Sequence, residues 1–142
     1  MILGLGHDVV DVAAFADQLA MPGTAMRRLF SARELRQAES RAAARHDDVA
    51  VHLAARWAAK ESVLKAWCAA LGGAPSPYTL DDFPWSAVET IDDTRGVPRI
   101  VLGADVEETL AGSLGQPAHS LHWSVSVSHD GPVASAVVVL EG

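Results

Sequence analysis

The sequence RWAAKESVLKAW, residues 56–67, predicts a helix. Four charged side chains, Arg56, Lys60, Glu61 and Lys65, are interspersed there with tryptophan, alanine, valine and leucine. An apolar helix has no structural need for a carboxylate flanked by ammonium groups. The stretch therefore raises a question of function as well as one of packing.

At about 100° per residue, Lys60 projects toward the apolar side of this helix, and Glu61 lies at the edge of that side. Glu61 and Lys65 are in i,i+4 positions, so one interpretation is an ion pair worth about 0.3–0.5 kcal/mol. A lysine on the apolar side either extends to solvent or points into a cleft that binds an anion. The residues that predict the buried stripe are Trp57, Leu64, Cys68 and Leu71.

Periodicity and turn residues along the chain predict an α+β fold, with helices packed on an antiparallel sheet. Ser31 and Glu34 have the spacing of a capping box, which marks a helix start. Residues 1–142 are interpreted as a single domain, because no linker or repeat divides them. The predicted strands are 2–10, 85–91, 97–102 and two within 120–141, and the predicted helices are 12–20, 32–45, 49–71 and 105–114.

The composition favours a folded, cytoplasmic protein. Hydrophobic residues make up 49% of the 142 residues, which is enough for a packed core. The single cysteine, Cys68, cannot form an internal disulfide, so a reducing compartment is expected. The N-terminal residues lack a signal-peptide pattern, and no apolar run reaches the ~20 residues of a membrane helix. The net charge of −7 argues against nucleic-acid binding.

Basic residues are concentrated in one part of the chain. Nine of the 11 lie between Arg27 and Lys65, and residues 26–46 contain six arginines against Glu34 and Glu39. A basic segment on an acidic protein can attract an acidic partner. The alternative interpretation is that these arginines only solvate a helix face.

Asp8 lies among apolar residues of the first predicted strand, where an uncompensated carboxylate is costly. One interpretation is a turn or cap role, with the nearby Asp11 starting the next helix. The other is a pair with Glu61, because two carboxylates plus waters and substrate phosphates are ligands that Mg²⁺ prefers. Arginine and lysine near such a pair would offset phosphate charge, which indicates phosphoryl-type chemistry on a diphosphate.

The sequence SVSHDG, residues 126–131, precedes a predicted turn. Ser128 and His129 are neighbours in a strand and point to opposite faces, which disfavours a nucleophile–base pair. A phosphate or ribose contact suits them better. The histidines and the cysteine lack zinc-site spacing, and the P-loop and GxGxxG motifs are absent.

Three segments, taken in order, resemble the signature segments of the 4′-phosphopantetheinyl transferases, and most closely their holo-acyl-carrier-protein synthase branch. They are GLGHDVVDV at 4–12, RWAAKESVLKA at 56–66 and VSVSHDGPVASAVVV at 125–139. The stretches RLFSARELRQA and GVPRIVLGADVEETLAG also fit the family, whereas the loop 72–84 matches none of its features.

The resemblance implies transfer of the 4′-phosphopantetheine arm of coenzyme A to a serine of apo-acyl carrier protein, with Mg²⁺ as cofactor and release of adenosine 3′,5′-bisphosphate. Asp8 and Glu61 would ligate the metal and, with Lys65, form the catalytic set. Glu61, or a metal-bound water oriented by Asp8, would be the general base. The residues expected to contact coenzyme A are Arg56, Lys60 and Lys65 at the phosphates, and Ser128 and His129 at the nucleotide end.

The resemblance also implies partners. Acyl carrier proteins are small and acidic, and short members of the family form homotrimers with the coenzyme A site between subunits. Two other functions stay open: a non-catalytic module that docks acidic proteins through the arginine-rich helix, and a metal-dependent phosphohydrolase acting on nucleotides. A docking module would not need the pair of Asp8 and Glu61. The expected docking residues are Arg27, Arg28, Arg33, Arg36 and Arg41.

Overall fold

Four helices and five strands make up residues 1–142, all of which the structure, a computed structural model, describes. The helices are α1 (Val12–Ala20), α2 (Ala32–Arg45), α3 (Val49–Ala70) and α4 (Ala104–Leu114). The strands are β1 (Ile2–Asp11), β2 (Val88–Asp92), β3 (Pro98–Leu102), β4 (His122–Asp130) and β5 (Val133–Glu141). These elements confirm the predicted α+β class. No helix combines the length and apolar character needed to cross a membrane.

The strands form two antiparallel sheets, where the sequence predicted one. The larger sheet has the order β1-β5-β4, and β2 and β3 form a separate hairpin. In the larger sheet, Ala136 of β5 is paired with Asp8 of β1 on one side and with Val127 of β4 on the other. Strands β1 and β4 are therefore the two edges of this sheet, and β5 separates them.

Helix α3 lies unusually close to β1 because two glycines face it. A Cβ atom on Gly4 would lie 2.0 Å from the carbonyl oxygen of Ala66, and one on Gly6 would lie 1.8 Å from that of Ser62. The Ser62 hydroxyl also lies 3.0 Å from the carbonyl oxygen of Ala136, so the helix contacts β5 as well. These contacts fix the height of α3 above the sheet next to Asp8.

The predicted buried stripe on this central helix is wrong. Cys68 is exposed, and Trp57, Leu64 and Leu71 are only half-buried. The larger sheet covers one side of α3, while α1, α2 and β2 cover others, so buried residues occur around most of its circumference. The buried apolar residues of α3 are Ala50, Leu53, Ala54, Ala55, Ala58, Ala59, Val63, Ala66 and Trp67.

Helix α2 begins with the predicted capping box. The Ser31 hydroxyl accepts a hydrogen bond from the backbone N–H of Glu34 at 3.2 Å, and the Glu34 carboxylate accepts one from the N–H of Ser31 at 3.0 Å. Asp11 caps α1 by accepting from the N–H of Ala14 at 2.9 Å. Local side-chain chemistry thus sets the starts of both helices, as the sequence indicated.

Replacing Gly6 by alanine should destabilise the protein strongly. The new methyl group would collide with backbone atoms of α3, which cannot rotate away, so we expect a loss of about 1–3 kcal/mol or more in the free energy of unfolding. Urea denaturation measures this. The matched control is Gly112→Ala in α4, where nothing lies within 4 Å of the added atom. Equal stability of the two variants would contradict the close approach of α3 to β1.

Candidate active site

Asp8 and Glu61 meet where β1 passes under α3. Asp8 is 8% exposed and faces the helix, and the carboxyl group of the half-buried Glu61 lies against it. Lys65, one helical turn beyond Glu61, donates to Asp8 Oδ1 and to the carbonyl oxygen of His7, both at 2.9 Å. The second oxygen, Asp8 Oδ2, is buried without a hydrogen-bond partner.

The electrostatics of this pair are unbalanced. Burial raises the pKa of Glu61 to about 7, and contact with the Asp8 carboxyl group and its negative charge add to the shift, whereas Lys65 opposes it. Lys65 forms its ion pair with Asp8, and the predicted ion pair between Glu61 and Lys65 is not present. Two acidic groups therefore share one ammonium group, and one carboxylate oxygen lacks a donor.

A divalent cation bound by oxygen ligands fits this arrangement. It would satisfy Asp8 Oδ2 and offset the charge that raises the Glu61 pKa. No group of three or more histidine, cysteine, aspartate or glutamate side chains could hold a metal. The protein would therefore supply two carboxylates and leave the other positions to water or substrate, as Mg²⁺ prefers.

A second polar cluster lines a cavity of about 320 Å³ on the β4 side of α3. The structure brings together there three of the residues that the sequence assigned to coenzyme A, Arg56, Ser128 and His129. Sequence reasoning did not assign His52 and Arg45 to this place. The i,i+4 spacing of His52 and Arg56 was a usable signal, since it puts both on one face of α3. The charged and polar residues of the lining include Arg41, Arg45, His52, Arg56, Ser128 and His129.

Arg56 is held rigidly in this cavity wall. It is only 5% exposed, and it donates to the carbonyl oxygen of His52 at 3.3 Å and to Asp92 Oδ2 at 3.2 Å. Its Nε is buried without an acceptor. Burial lowers the pKa of Arg56, and the Asp92 carboxylate opposes that effect. An arginine stays cationic in proteins, so the cavity retains a fixed positive charge.

His52 and His129 meet edge to face, with ring centroids 5.9 Å apart. His52 Nε2 lies 2.6 Å from Asp47 Oδ1, so the imidazole has a fixed orientation. His129 belongs to an edge strand, β4, and this contact ties it to α3. The cavity is thus lined by residues of helices α2 and α3 and of the edge strand β4.

The acidic pair and the cavity lie on different sides of α3. Asp8 belongs to β1, whereas Ser128 and His129 belong to β4, and these are opposite edges of the sheet. Two strand spacings separate the edges by roughly 10 Å. Arg56 and Glu61 are also about 140° apart around the helix. One chain therefore carries the predicted site residues as two separate half-sites.

The prediction that Lys60 faces phosphates is wrong. Its side chain is fully buried, and Nζ donates to Glu34 Oε1 at 2.7 Å, to the carbonyl oxygen of Trp85 at 2.7 Å and to that of Val88 at 2.6 Å. An ammonium group has three N–H donors, so none is left for a ligand. Lys60 ties α3 to the start of α2 and to the beginning of β2.

The five arginines predicted to dock a partner fall into two groups. Arg33 forms a two-pronged ion pair with Glu89, with distances of 2.6 and 2.7 Å, and Arg41 binds Asp92 at 3.1 Å. The other three, Arg27, Arg28 and Arg36, are exposed and form no ion pair. Their charges are available to a partner.

The comparisons with known proteins all indicate the same enzyme family. The family model of the 4′-phosphopantetheinyl transferase superfamily matches residues 4–138. The holo-[acyl-carrier-protein] synthases of Bifidobacterium animalis subsp. lactis and Bifidobacterium adolescentis are 60% and 57% identical to this protein, each over 99% of this chain. The matched regions make up 98% and 99% of the length of those two proteins. A solved structure described as a Chronobacterium ammoniagenes ACPS–CoA complex superposes with a TM-score of 0.86, at 34% identity over 97% of this chain and 96% of its own.

The raised pKa of Glu61 should make metal-free stability depend on pH. The unfolded chain loses this proton near pH 4.5 and the folded chain near pH 7, so the contribution of Glu61 to stability falls as pH rises through that window. Glu61→Gln should therefore raise Tm relative to wild type by a few degrees at pH 8, and by less at pH 5.

Added Mg²⁺ should reverse the order at pH 8, because a ligand that binds only the folded state stabilises it. Wild type and the surface control Glu39→Gln should gain Tm, and Glu61→Gln should not. Thermal unfolding with EDTA and with Mg²⁺ measures both effects. Equal Mg²⁺ stabilisation of wild type and Glu61→Gln would exclude this pair as the metal site.

Removing the buried ammonium of Lys60 should be costly. Lys60→Met leaves the buried Glu34 carboxylate without its ion-pair partner, and we expect a loss of about 3–5 kcal/mol in the free energy of unfolding. Arg99→Met, whose arginine side chain is 69% exposed in its ion pair with Asp93, should cost less than about 1 kcal/mol. Denaturant titration compares the two, and a similar loss for both would contradict a structural role for Lys60.

Proposed function

The chain belongs to the 4′-phosphopantetheinyl transferase superfamily, and from this premise we propose that it transfers 4′-phosphopantetheine from coenzyme A to a serine of an apo-acyl carrier protein, releasing adenosine 3′,5′-bisphosphate. As a member of this family, it is a transferase enzyme. The relatives named above are holo-[acyl-carrier-protein] synthases, and a similar solved structure is described as a complex with CoA. The unsatisfied Asp8–Glu61 pair is the observation that carries the proposal.

Asp8 and Glu61 would hold Mg²⁺ through Asp8 Oδ2 and the Glu61 carboxylate. Bound there, the ion would supply positive charge to the oxygens of the coenzyme A diphosphate. Lys65 lies beside Asp8, and its half-exposed ammonium group would add charge at the same phosphates. These three residues form the proposed catalytic set.

The reaction exchanges one phosphorus–oxygen bond for another. The carrier serine oxygen attacks the phosphorus that bears pantetheine, and the bond from that phosphorus to the leaving adenosine 3′,5′-bisphosphate breaks. The serine proton passes to a base. Glu61 and a water oriented by Asp8 are the two candidates, and both belong at this side of α3.

The cavity would bind the nucleotide end of coenzyme A. Arg56 would face a phosphate, with Ser128 and His129 beside it. A guanidinium group that is already held by Asp92 and by a carbonyl oxygen loses little conformational entropy when it binds an anion. Lys60 has no part in this site, for the reasons given above.

The two half-sites would be completed by a second copy of the chain. The acidic pair of one copy and the cavity of a neighbour could then flank one coenzyme A molecule, whereas within one copy the two clusters lie on different sides of α3. We propose a homotrimer built in this way. Support comes from the face of the larger sheet that points away from α3, because it exposes Leu5, Val9, Val133 and Val137 to solvent in the single chain.

The acidic carrier protein would dock on the exposed arginines of residues 26–46. Arg27, Arg28 and Arg36 are the principal candidates because their charges are unpaired. Arg33 and Arg41 would contribute less, because each is already neutralised by a carboxylate. The cytoplasmic location stays a prediction from the sequence.

A non-catalytic docking module is the competing function, and the unpaired arginines favour it as far as they go. A docking module would not explain the buried Asp8 oxygen that lacks a hydrogen-bond partner, nor the cavity lined by Arg56. One incubation separates the two functions. Mixed with coenzyme A, Mg²⁺ and an apo-carrier protein, the chain should raise the intact mass of the carrier by one phosphopantetheine arm.

The Glu61→Gln variant and a reaction with EDTA serve as controls, and neither should raise that mass. A carrier whose mass stays unchanged with folded wild type would contradict the proposed transfer. Full activity of Glu61→Gln would remove Glu61 from the catalytic set.

Reversing charge at Arg27 and Arg28 should weaken carrier binding without altering the chemistry. We expect the KM for the carrier to rise by about tenfold in the double glutamate variant and to depend less on salt, with kcat little changed. Steady-state kinetics at two ionic strengths measure this. Arg99→Glu, an exposed arginine outside the basic segment, is the control. An equal effect in both variants would contradict local docking.

A further inference from the structure

Helix α2 lies along the unpaired edge of β2 and supplies the hydrogen bonds that another strand would give. The Glu34 carboxylate accepts from the N–H of Thr90 at 3.0 Å. The Gln37 side chain accepts from the N–H of Asp92 at 2.9 Å and donates to its carbonyl oxygen at 3.0 Å. Both backbone groups of Asp92 are therefore fixed by a single side chain.

The Asp92 carboxylate in turn joins two helices. Its Oδ2 accepts from Arg41 Nε of α2 at 3.1 Å and from Arg56 Nη2 of α3 at 3.2 Å. Arg41 is held a second time, by the carbonyl oxygen of Gly96 at 3.1 Å. All three side chains line the cavity assigned above to the nucleotide end of coenzyme A.

A carboxylate in a site for anions would, by charge alone, weaken binding. Its geometry suggests the opposite effect. Two guanidinium groups repel each other at short distance, and one shared carboxylate oxygen between them offsets that repulsion. Arg56 is also almost fully buried, so without Asp92 it would lose its main charge partner and its fixed orientation.

We propose that Asp92, fixed by Gln37, positions Arg41 and Arg56 around the cavity and thereby sets the affinity of the chain for the anionic end of coenzyme A. This inference rests on the proposed function. Asp92 is a positioning residue, since it acts through the two arginines and touches no reacting atom. In the sequence analysis, Asp92 falls only in the segment between the predicted strands 85–91 and 97–102.

The test is calorimetric titration of coenzyme A into wild type, Asp92→Asn and Asp93→Asn. Asp92→Asn should weaken the Kd about tenfold, raise the KM for coenzyme A in parallel, and change kcat at saturating coenzyme A less than twofold. Asp93→Asn is the matched control, because Asp93 bonds the turn backbone and Arg99 rather than the cavity arginines. An unchanged or tighter Kd in Asp92→Asn would overturn the proposal.

Two further variants separate positioning from a general loss of structure. Gln37→Ala releases the backbone of Asp92 and also removes the 3.5 Å contact of Gln37 Oε1 with Arg56 Nη2, without changing any charge. It should weaken coenzyme A binding in the same direction. In an Arg56→Gln background, Asp92→Asn should have less than about half of its original effect, because it acts through Arg56. Full additivity in this double-mutant cycle would contradict that route.

Thermal unfolding verifies that each variant is folded. Failure of the proposed function gives a different result from failure of this inference. A wild-type chain that neither binds coenzyme A nor modifies a carrier protein overturns both. A wild-type chain that does both, with Asp92→Asn indistinguishable from it, overturns only the role of Asp92.

Discussion

The close packing of α3 on β1 determines which side chains meet at the acidic site. Gly4 and Gly6 remove the side chains that would hold the helix away from the strand, and Asp8 follows two residues later on the same face. At that separation the Asp8 and Glu61 carboxyl groups meet, and burial, together with contact with the Asp8 carboxyl group and its charge, raises the Glu61 pKa to about 7. The cost of placing two acids together is what a bound cation would relieve.

The charged residues of α3 differ in how completely their hydrogen bonds are satisfied, and that difference separates structure from function. Lys60 uses all three donors on protein acceptors and serves the packing of α2 and β2. Arg56 is held on two sides but retains a buried Nε without an acceptor, and the Asp8 carboxylate opposite Glu61 retains a free oxygen. Native proteins rarely leave buried polar atoms unpaired, so these are the positions at which to expect a ligand.

Sequence patterns predicted the elements well, since helix starts are set by nearby side chains such as the Ser31–Glu34 capping box. They also singled out Asp8 and Glu61, because a carboxylate in an apolar context needs an explanation. They failed for Lys60, because helical periodicity gives the direction of a side chain but not the distant partner that meets it, here Glu34. The role of Asp92 was equally out of reach, since it depends on how α2 lies along the edge of β2.

We propose that Asp8 and Glu61 jointly bind a divalent cation that lies against a coenzyme A molecule shared with a second copy of the chain. Anomalous diffraction from crystals grown with Mn²⁺ and coenzyme A would locate this cation. We expect a single strong peak between the two carboxylates, with Arg56, Ser128 and His129 of a neighbouring copy around the nucleotide. A map with no peak there, or with coenzyme A bound away from both half-sites, would contradict it.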